Sequence, residues 1–234
     1  MVFVDGQNVF KSCRSNYSHG YAHPLLLAHR LLAGRTLCGV RYYSGLHDPR
    51  INPDLHAAVS RRHALMRQLG LTVVERKLRY RWEWGISRED QRLLPDPRAH
   101  IGETRTVSVS PYQRPREKGI DLALGLDVVD LALKPAMDVA VIVSSDTDLC
   151  EVARMVHQMT LVAGRRISVE AAVFNENSGP VLMDEYDYTH QLKRADFDAA
   201  RDSFNYTEEL DRGWKAAFVR SCEPYRPTGP DPSD

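Results

Sequence analysis

Val139-Ala140-Val141-Ile142-Val143-Ser144-Ser145-Asp146-Thr147-Asp148 is the stretch on which the reading of this chain turns. Five apolar residues run without interruption. A strand with one wet face would alternate, so this run predicts a strand covered on both faces, as in a parallel sheet. It ends in two serines and an Asp-x-Asp. Working outward, helical spacing predicts helices over Gly119–Leu133 (Leu122, Leu126, Val129, Leu133) and Leu149–Met159 on either side, and Ile167–Phe174 reads as the next strand. Nearer the start, Val2–Val4 is a short apolar strand closed by the turn signal Asp5-Gly6. A leucine-rich helix over His23–Ala33, a strand over Thr36–Tyr43, a helix from Asn52 to Leu69 and a strand over Leu71–Glu75 follow. Strands alternating with helices predict an α/β fold with a mainly parallel sheet.

Composition narrows the class. With 234 residues, 43% of them hydrophobic, the chain supports one substantial core and a second full domain is not expected. Lys and Arg number 31 against 31 Asp and Glu, so overall charge selects no polyanionic partner and local fields must be read instead. An acid interrupts the first apolar run at Asp5, which argues against a secretory leader, and Val139–Val143 is far too short to span a bilayer. Cys13, Cys38, Cys150 and Cys222 are scattered without zinc-site spacing and read as free thiols. The expectation is a cytoplasmic protein with no membrane partner. No heptad run or long apolar face demands a homodimer, although one is compatible with the sequence.

Ligands of a parallel α/β sheet bind beyond the carboxyl ends of its strands. Three separate segments deliver carboxylates there: Asp5 with Asn8 three residues on, Asp121 in Glu117-Lys118-Gly119-Ile120-Asp121, and Asp146 with Asp148. Gathered carboxylates repel one another unless a cation neutralises them. Hard divalent ions such as Mg²⁺ or Mn²⁺ take oxygen ligands, and can activate water for phosphodiester hydrolysis. Each acid alone reads equally well as the N-cap of the following helix. Asp127 is the least certain member of the set: six helical residues turn by about 600°, leaving it roughly 120° from Asp121. It faces the site from the next turns, or else supports Lys118 or a backbone group.

These motifs resemble those of NYN domains, a branch of the PIN-like nuclease superfamily. Phe3-Val4-Asp5-Gly6-Gln7-Asn8 is similar to their opening signature, Glu117 to Asp121 with Asp127 to their middle motif, and Val143 to Leu149 to their third. The last departs from the usual pattern in Ser145 for Gly and Leu149 for Phe. The order and approximate spacing match over Met1–Leu192, taken as the domain, with residues 193–234 as an extension. The resemblance implies a Rossmann-like three-layer fold and an Mg²⁺- or Mn²⁺-dependent endoribonuclease. Position by position, Asp5, Asp121, Asp146 and Asp148 are its metal-binding acids, with Asn8 positioning phosphate or the first aspartate.

Residues from about 76 to 116 lack a sustained period and look like an insertion, with Thr104–Ser110 a weak strand candidate. Arg76, Lys77, Arg79 and Arg81 stand beside Tyr80, Trp82 and Trp84, while Arg114, Arg116 and Lys118 add charge ahead of Asp121. Strand alternation would put the arginines on one face and the aromatics on the other. Cations hold phosphates and exposed aromatics stack unpaired bases, so these residues form a candidate RNA-binding surface. An edge strand with its aromatic face packed on the core is the competing reading, and the exposure of Trp82 and Trp84 separates the two. Between about Lys193 and Phe218 the charged sequence reads as helical, and Tyr225–Asp234 as disordered. Two other functions fit the acids less well: a metal-free RNA- or partner-binding module, and a haloacid dehalogenase-type phosphatase, whose Asp-x-Asp would follow the first strand.

Overall fold

Alternation along the strands sorts the core into two layers. In β1 (Val2–Asp5), Val2 and Val4 face one side of the sheet and Phe3 the other; in β6 (Val139–Val143), Val141 and Val143 face the first side and Ala140 and Ile142 the second. Both layers are apolar, so both faces must be covered, as the uninterrupted Val139–Val143 run predicts. The structure, a computed structural model, describes residues 1–86, 109–175 and 184–202.

The sheet has six strands, all parallel. With β2 (Val40–Leu46), β3 (Thr72–Lys77), β7 (Ser168–Phe174) and β8 (Tyr188–Leu192), the order is β3-β2-β1-β6-β7-β8. Helices α1 (Gly6–Tyr17), α2 (Pro24–Leu31) and α3 (Pro53–Gln68) lie on the side of Val2 and Val4, where Val9, Cys13, Leu27 and Met66 join the core. Helices α4 (Ile120–Ala132) and α5 (Cys150–Val162) cover the Phe3 side through Leu124, Val128, Ala153 and Val156. The result is a three-layer α/β fold. Helix α6 (Arg194–Ala200) buries Phe197 and Ala200 in the first layer, where Phe197 stacks on Tyr17 at 4.6 Å.

Several elements differ from their sequence readings for visible reasons. Asp5-Gly6 is a strand-to-helix junction rather than a turn, because α1 starts at once; its apolar contacts, Val9, Cys13 and Tyr17, are too few among polar residues to announce a helix. Strand β2 starts at Val40, not Thr36, since its first partner in β1 is Val2 and no β1 residue extends further back to pair with it. Strand β8, Tyr-Thr-His-Gln-Leu, lacks a sequence signature and is held by pairing with β7. In α4 the expected core face is inverted: Leu122, Leu126 and Leu133 are exposed, while Ile120, Ala123, Leu124, Gly125, Val128 and Ala132 are buried.

The insertion contributes an antiparallel ribbon, β4 (Arg79–Ile86) paired with β5 (Val109–Arg116), as a sheet of its own. The candidate strand over Thr104–Ser110 touches β5 only at Val109 and Ser110; its other residues lie outside the described ones, as do residues 203–234, including most of the helical extension and the whole C-terminal tail.

A candidate active site at the carboxyl edge of the sheet

Strand β1 lies between β2 and β6, and the chain runs outward from it in opposite directions, so the β1–β6 crevice is the topological switch point of this sheet. There the loops after neighbouring strands part, and a ligand site opens beyond their carboxyl ends. Asp5 ends β1 at that position, and Ser144 follows β6.

Asp5 is buried and both its oxygens are occupied. Oδ1 accepts the Asn8 backbone N–H at 3.0 Å, capping α1, and Oδ2 accepts the Ser144 hydroxyl at 3.1 Å. The cap and the site therefore coexist in one side chain. Burial raises the Asp5 carboxyl above the usual aspartate range, the charges of Asp121 and Asp146 raise it further, and the two hydrogen bonds oppose them. The residue after Asp5 is constrained as well: a Cβ at Gly6 would stand 2.5 Å from the Tyr42 hydroxyl and 2.7 Å from the Tyr43 carbonyl oxygen, so only glycine lets α1 leave β1 here.

The loop after β6 is tied to α1. The Asn8 side-chain carbonyl accepts both the backbone N–H and the hydroxyl of Ser145, each at 2.9 Å. Ser144 Oγ accepts the Asp146 N–H at 3.2 Å, and Asp146 Oδ1 accepts the Asp148 N–H at 3.1 Å, capping a short 3₁₀ turn over Thr147–Leu149. Ser145, in place of the family's usual Gly, thus adds a hydroxyl donor to Asn8 beside the backbone N–H that a glycine would also supply.

Asp121 enters from the first turn of α4. Burial raises its carboxyl, and the charges of Asp146 and Asp148 push the same way while Lys11 opposes them. Asp5, Asp121, Asp146 and Asp148 therefore share one field. Among the described residues no three His, Cys, Asp or Glu side chains already converge as a ligating group. The donor chemistry nonetheless fits a hard divalent cation: the set is all oxygen, and a bound cation would neutralise the repulsion and offset the desolvation that raise Asp5 and Asp121.

Asp127 is not brought to this cluster. Six residues carry it about 9 Å along α4, back from the carboxyl edge. There its Oδ2 accepts Arg41 Nη2 at 2.6 Å and the Tyr43 hydroxyl at 2.8 Å. Arg41 pairs with Phe3 in register, two residues below Asp5. In place of the expected metal-site position, Asp127 here forms an ion pair that fastens α4 to β2.

Two residues were missed. Glu117 lies in the middle motif with nothing in the sequence to assign it a role, yet its Oε1 accepts the Gly45 N–H at 2.8 Å, and burial, with the charges of Asp5 and Asp121, pushes it up to about 7. A Cβ at Gly45 would lie 2.6 Å from that oxygen and would also clash with Leu78, so the contact depends on glycine in β2. No sequence pattern announces that pairing, which spans 72 residues. Lys11, whose charge opposes the rise of both Glu117 and Asp121, stands three residues beyond Asn8 on α1 and needed that helix to be recognised.

The ribbon springs from the same edge: β3 ends at Lys77, and β5 ends one residue before Glu117. Its register places Arg79, Arg81, Arg114 and Arg116 on one face around Glu83, and Tyr80, Trp82 and Trp84 on the other. Trp82 is 69% exposed and Trp84 74%, so the aromatic face is not packed on the core. Glu83 pairs with Arg116 at 2.6 Å and Arg114 at 3.2 Å, and the Tyr80 hydroxyl meets His47 Nδ1 at 2.9 Å. Arg76, Lys77 and Lys118 are exposed beside the ribbon.

A doubly wound sheet with acids at its switch point defines an α/β domain of the PIN-like, three-layer kind. The chain belongs to the NYN domain family, whose sequence profile matches residues 1–193. Members of that family are generally nucleases that use divalent metals. The fold is also similar to the crystal structure of a protein of unknown function from Vibrio parahaemolyticus RIMD 2210633, with a TM-score of 0.50 and 16% identity over 82% of this chain and 91% of that one. No curated protein matches the chain. Among the described residues no helix is long and apolar enough to cross a membrane.

Proposed function

We propose that this chain is a cytoplasmic endoribonuclease that hydrolyses RNA phosphodiester bonds with Mg²⁺ or Mn²⁺ held by Asp5, Asp121, Asp146 and Asp148. One observation carries the reading: a buried aspartate at the switch point, Asp5, lies in the field of acids from two other segments. Family membership supports the same direction. Bound there, the divalent ion would activate a water as nucleophile and neutralise charge developing on the phosphate.

The chain's own residues do the arranging. Asn8 and Ser145 lock the loop after β6 to the start of α1, fixing Asp146 relative to Asp5. Ser144 holds Asp5 Oδ2 and the Asp146 backbone together, so the two acids move as a unit. Lys11 offers a cation to the scissile phosphate beside Asp121. Arg79, Arg81, Arg114 and Arg116 would hold the phosphates of the flanking RNA, and Trp82 and Trp84 would stack its unpaired bases.

The test is cleavage of end-labelled RNA with Mn²⁺ or Mg²⁺, comparing wild type with Asp146→Asn. A fall of at least about 100-fold is expected for loss of a metal-binding acid. Undiminished cutting by the variant would sink the assignment, and RNA binding without cutting by the wild type would leave a metal-free binding module.

A further inference from the structure

Helix α4 carries apolar residues on two faces. One face, Ile120, Ala123, Leu124, Val128 and Ala132, is buried on the sheet, as the second core layer requires. Leu122, Leu126, Val129 and Leu133 form a separate stripe, spaced four, three and four residues apart. Leu122 is 66% exposed, Leu126 61%, and Leu133 is also open to solvent, with Val129 half-buried. Asp127 and Asp130 keep to another side of the helix, so this stripe is a second apolar face beside the buried one, and such a face is ordinarily covered.

The neighbouring helix continues the stripe. Both helices lead back from the carboxyl edge on the same face of the sheet, and they pack together where a Cβ at Gly125 would meet Val152 at 2.9 Å. Val152 therefore marks the side of α5 that faces α4. At 100° per residue, Met155, Met159 and Val162 follow it along the rim between that side and solvent, in three, four and three steps. Met155 is exposed, Val162 is 89% exposed, and Val152 and Met159 are half-buried. The two stripes thus flank one shallow apolar channel between parallel helices.

We propose that this α4–α5 face is an isologous dimer interface, covered by the same face of a second copy of this chain. Spacing of four and three residues is the a/d pattern by which helices interdigitate. A channel between two such stripes can accept the leucine ridge of an identical α4 about a two-fold axis, giving a four-helix contact. Area agrees: the exposed parts of these side chains amount to roughly 400 Å² of apolar surface. With a polar rim in the usual proportion this becomes about 700 Å² per copy, the size of a stable pairwise interface.

Charge selects the second copy over other occupants. No formal charge stands in either stripe. The charges at the rim are closed within the chain, Asp130 with Lys134 at 2.5 Å, and Arg154 with Glu151 at 2.9 Å and Glu185 at 3.1 Å. With two cations against three carboxylates, the rim repels an acidic partner, offers a basic one a single unbalanced charge, and lacks the Lys and Arg fringe by which amphipathic helices hold anionic bilayers. A neutral apolar surface of matching period is what remains, and this chain supplies one.

The test is the mass in solution of the full chain by light scattering over a dilution series, with and without Leu126→Glu and Val162→Glu together. Both side chains are exposed, so thermal melting of the double variant serves as the check on folding. The wild type is expected at twice 26.6 kDa. The double variant is expected as a monomer of unchanged melting temperature, with its dissociation constant raised on the order of 100-fold or more. Leu55→Glu, on the far α3, is expected to leave the dimer intact. A dimer that survives the double substitution would overturn the proposal, and so would a monomeric wild type. A monomeric wild type whose double variant melts lower would assign the cover to the chain's own residues instead.

Discussion

Replacing Glu117 by Gln removes a charge from the candidate site while keeping the oxygen that accepts the Gly45 N–H. Glu117 is pushed up to about 7 from an ordinary 4.5, chiefly by burial and then by Asp5 and Asp121, with the Gly45 bond and Lys11 opposing. Below pH 4.5 both folded and unfolded chains hold the proton, and ionisation costs nothing. Between 4.5 and 7 the unfolded chain releases it first, so this residue's contribution to stability falls as pH rises. Above about pH 8 the full cost is present. A displacement of about 2.5 pH units corresponds to roughly 3 kcal/mol, which partial solvent access reduces to on the order of 1–2 kcal/mol. Glu117→Gln is therefore expected to melt with the wild type near pH 4 and roughly 2–8 °C above it at pH 8.5, at about 2–4 °C per kcal/mol. The assay is differential scanning calorimetry in EDTA. His23 and His63, both lowered to about 4 by burial, titrate in the same window, so the difference between the two proteins is the readout. A difference independent of pH, or a variant less stable at pH 8.5, would refute the reasoning.

Asp127→Asn is expected to lower stability by about 1–3 kcal/mol, because it weakens the carboxylate that Arg41 and Tyr43 share, and to leave RNA cleavage nearly unchanged. Unchanged melting with loss of cleavage would return Asp127 to the metal set. Trp82→Ala and Trp84→Ala should melt like the wild type, as exposed residues do, yet weaken binding of single-stranded oligonucleotides by roughly 1–3 kcal/mol each in fluorescence anisotropy. Equal affinity in both variants would remove the stacking role from the ribbon.

The parts of the fold that were legible from sequence are those where periodicity and burial coincide. Val139–Val143 occupies its predicted place residue for residue, because a run apolar on both faces has no other home in a sheet with helices on both sides. Asn52-Pro53 opens α3 as expected, with Pro in the first turn. Helix α4 shows where the signal misleads: its strongest stripe of leucines is the exposed one, and the small residues Ala123, Gly125 and Ala132 are what allow close approach to the sheet and α5. Asp5, Asn8, Asp121 and Asp146 could be picked out because strand ends in a parallel sheet converge on one edge. Asp127 and Glu117 could not be sorted the same way. Their roles depend on which strand residue, Arg41 or Gly45, the fold sets beside them, and those partners are 86 and 72 residues away in sequence.

The central claim is that the acids headed by Asp5 support hydrolysis by a metal-activated water. Its most direct test is the chemistry of the cut ends. Wild type and Asp5→Asn are incubated with a defined single-stranded RNA in Mn²⁺ or in EDTA, and the fragments are weighed by mass spectrometry. The account predicts 5′-phosphate and 3′-hydroxyl ends from the wild type in Mn²⁺, and no fragments from Asp5→Asn or in EDTA. Fragments with 2′,3′-cyclic phosphate ends, or cutting by Asp5→Asn equal to that of the wild type, would contradict it.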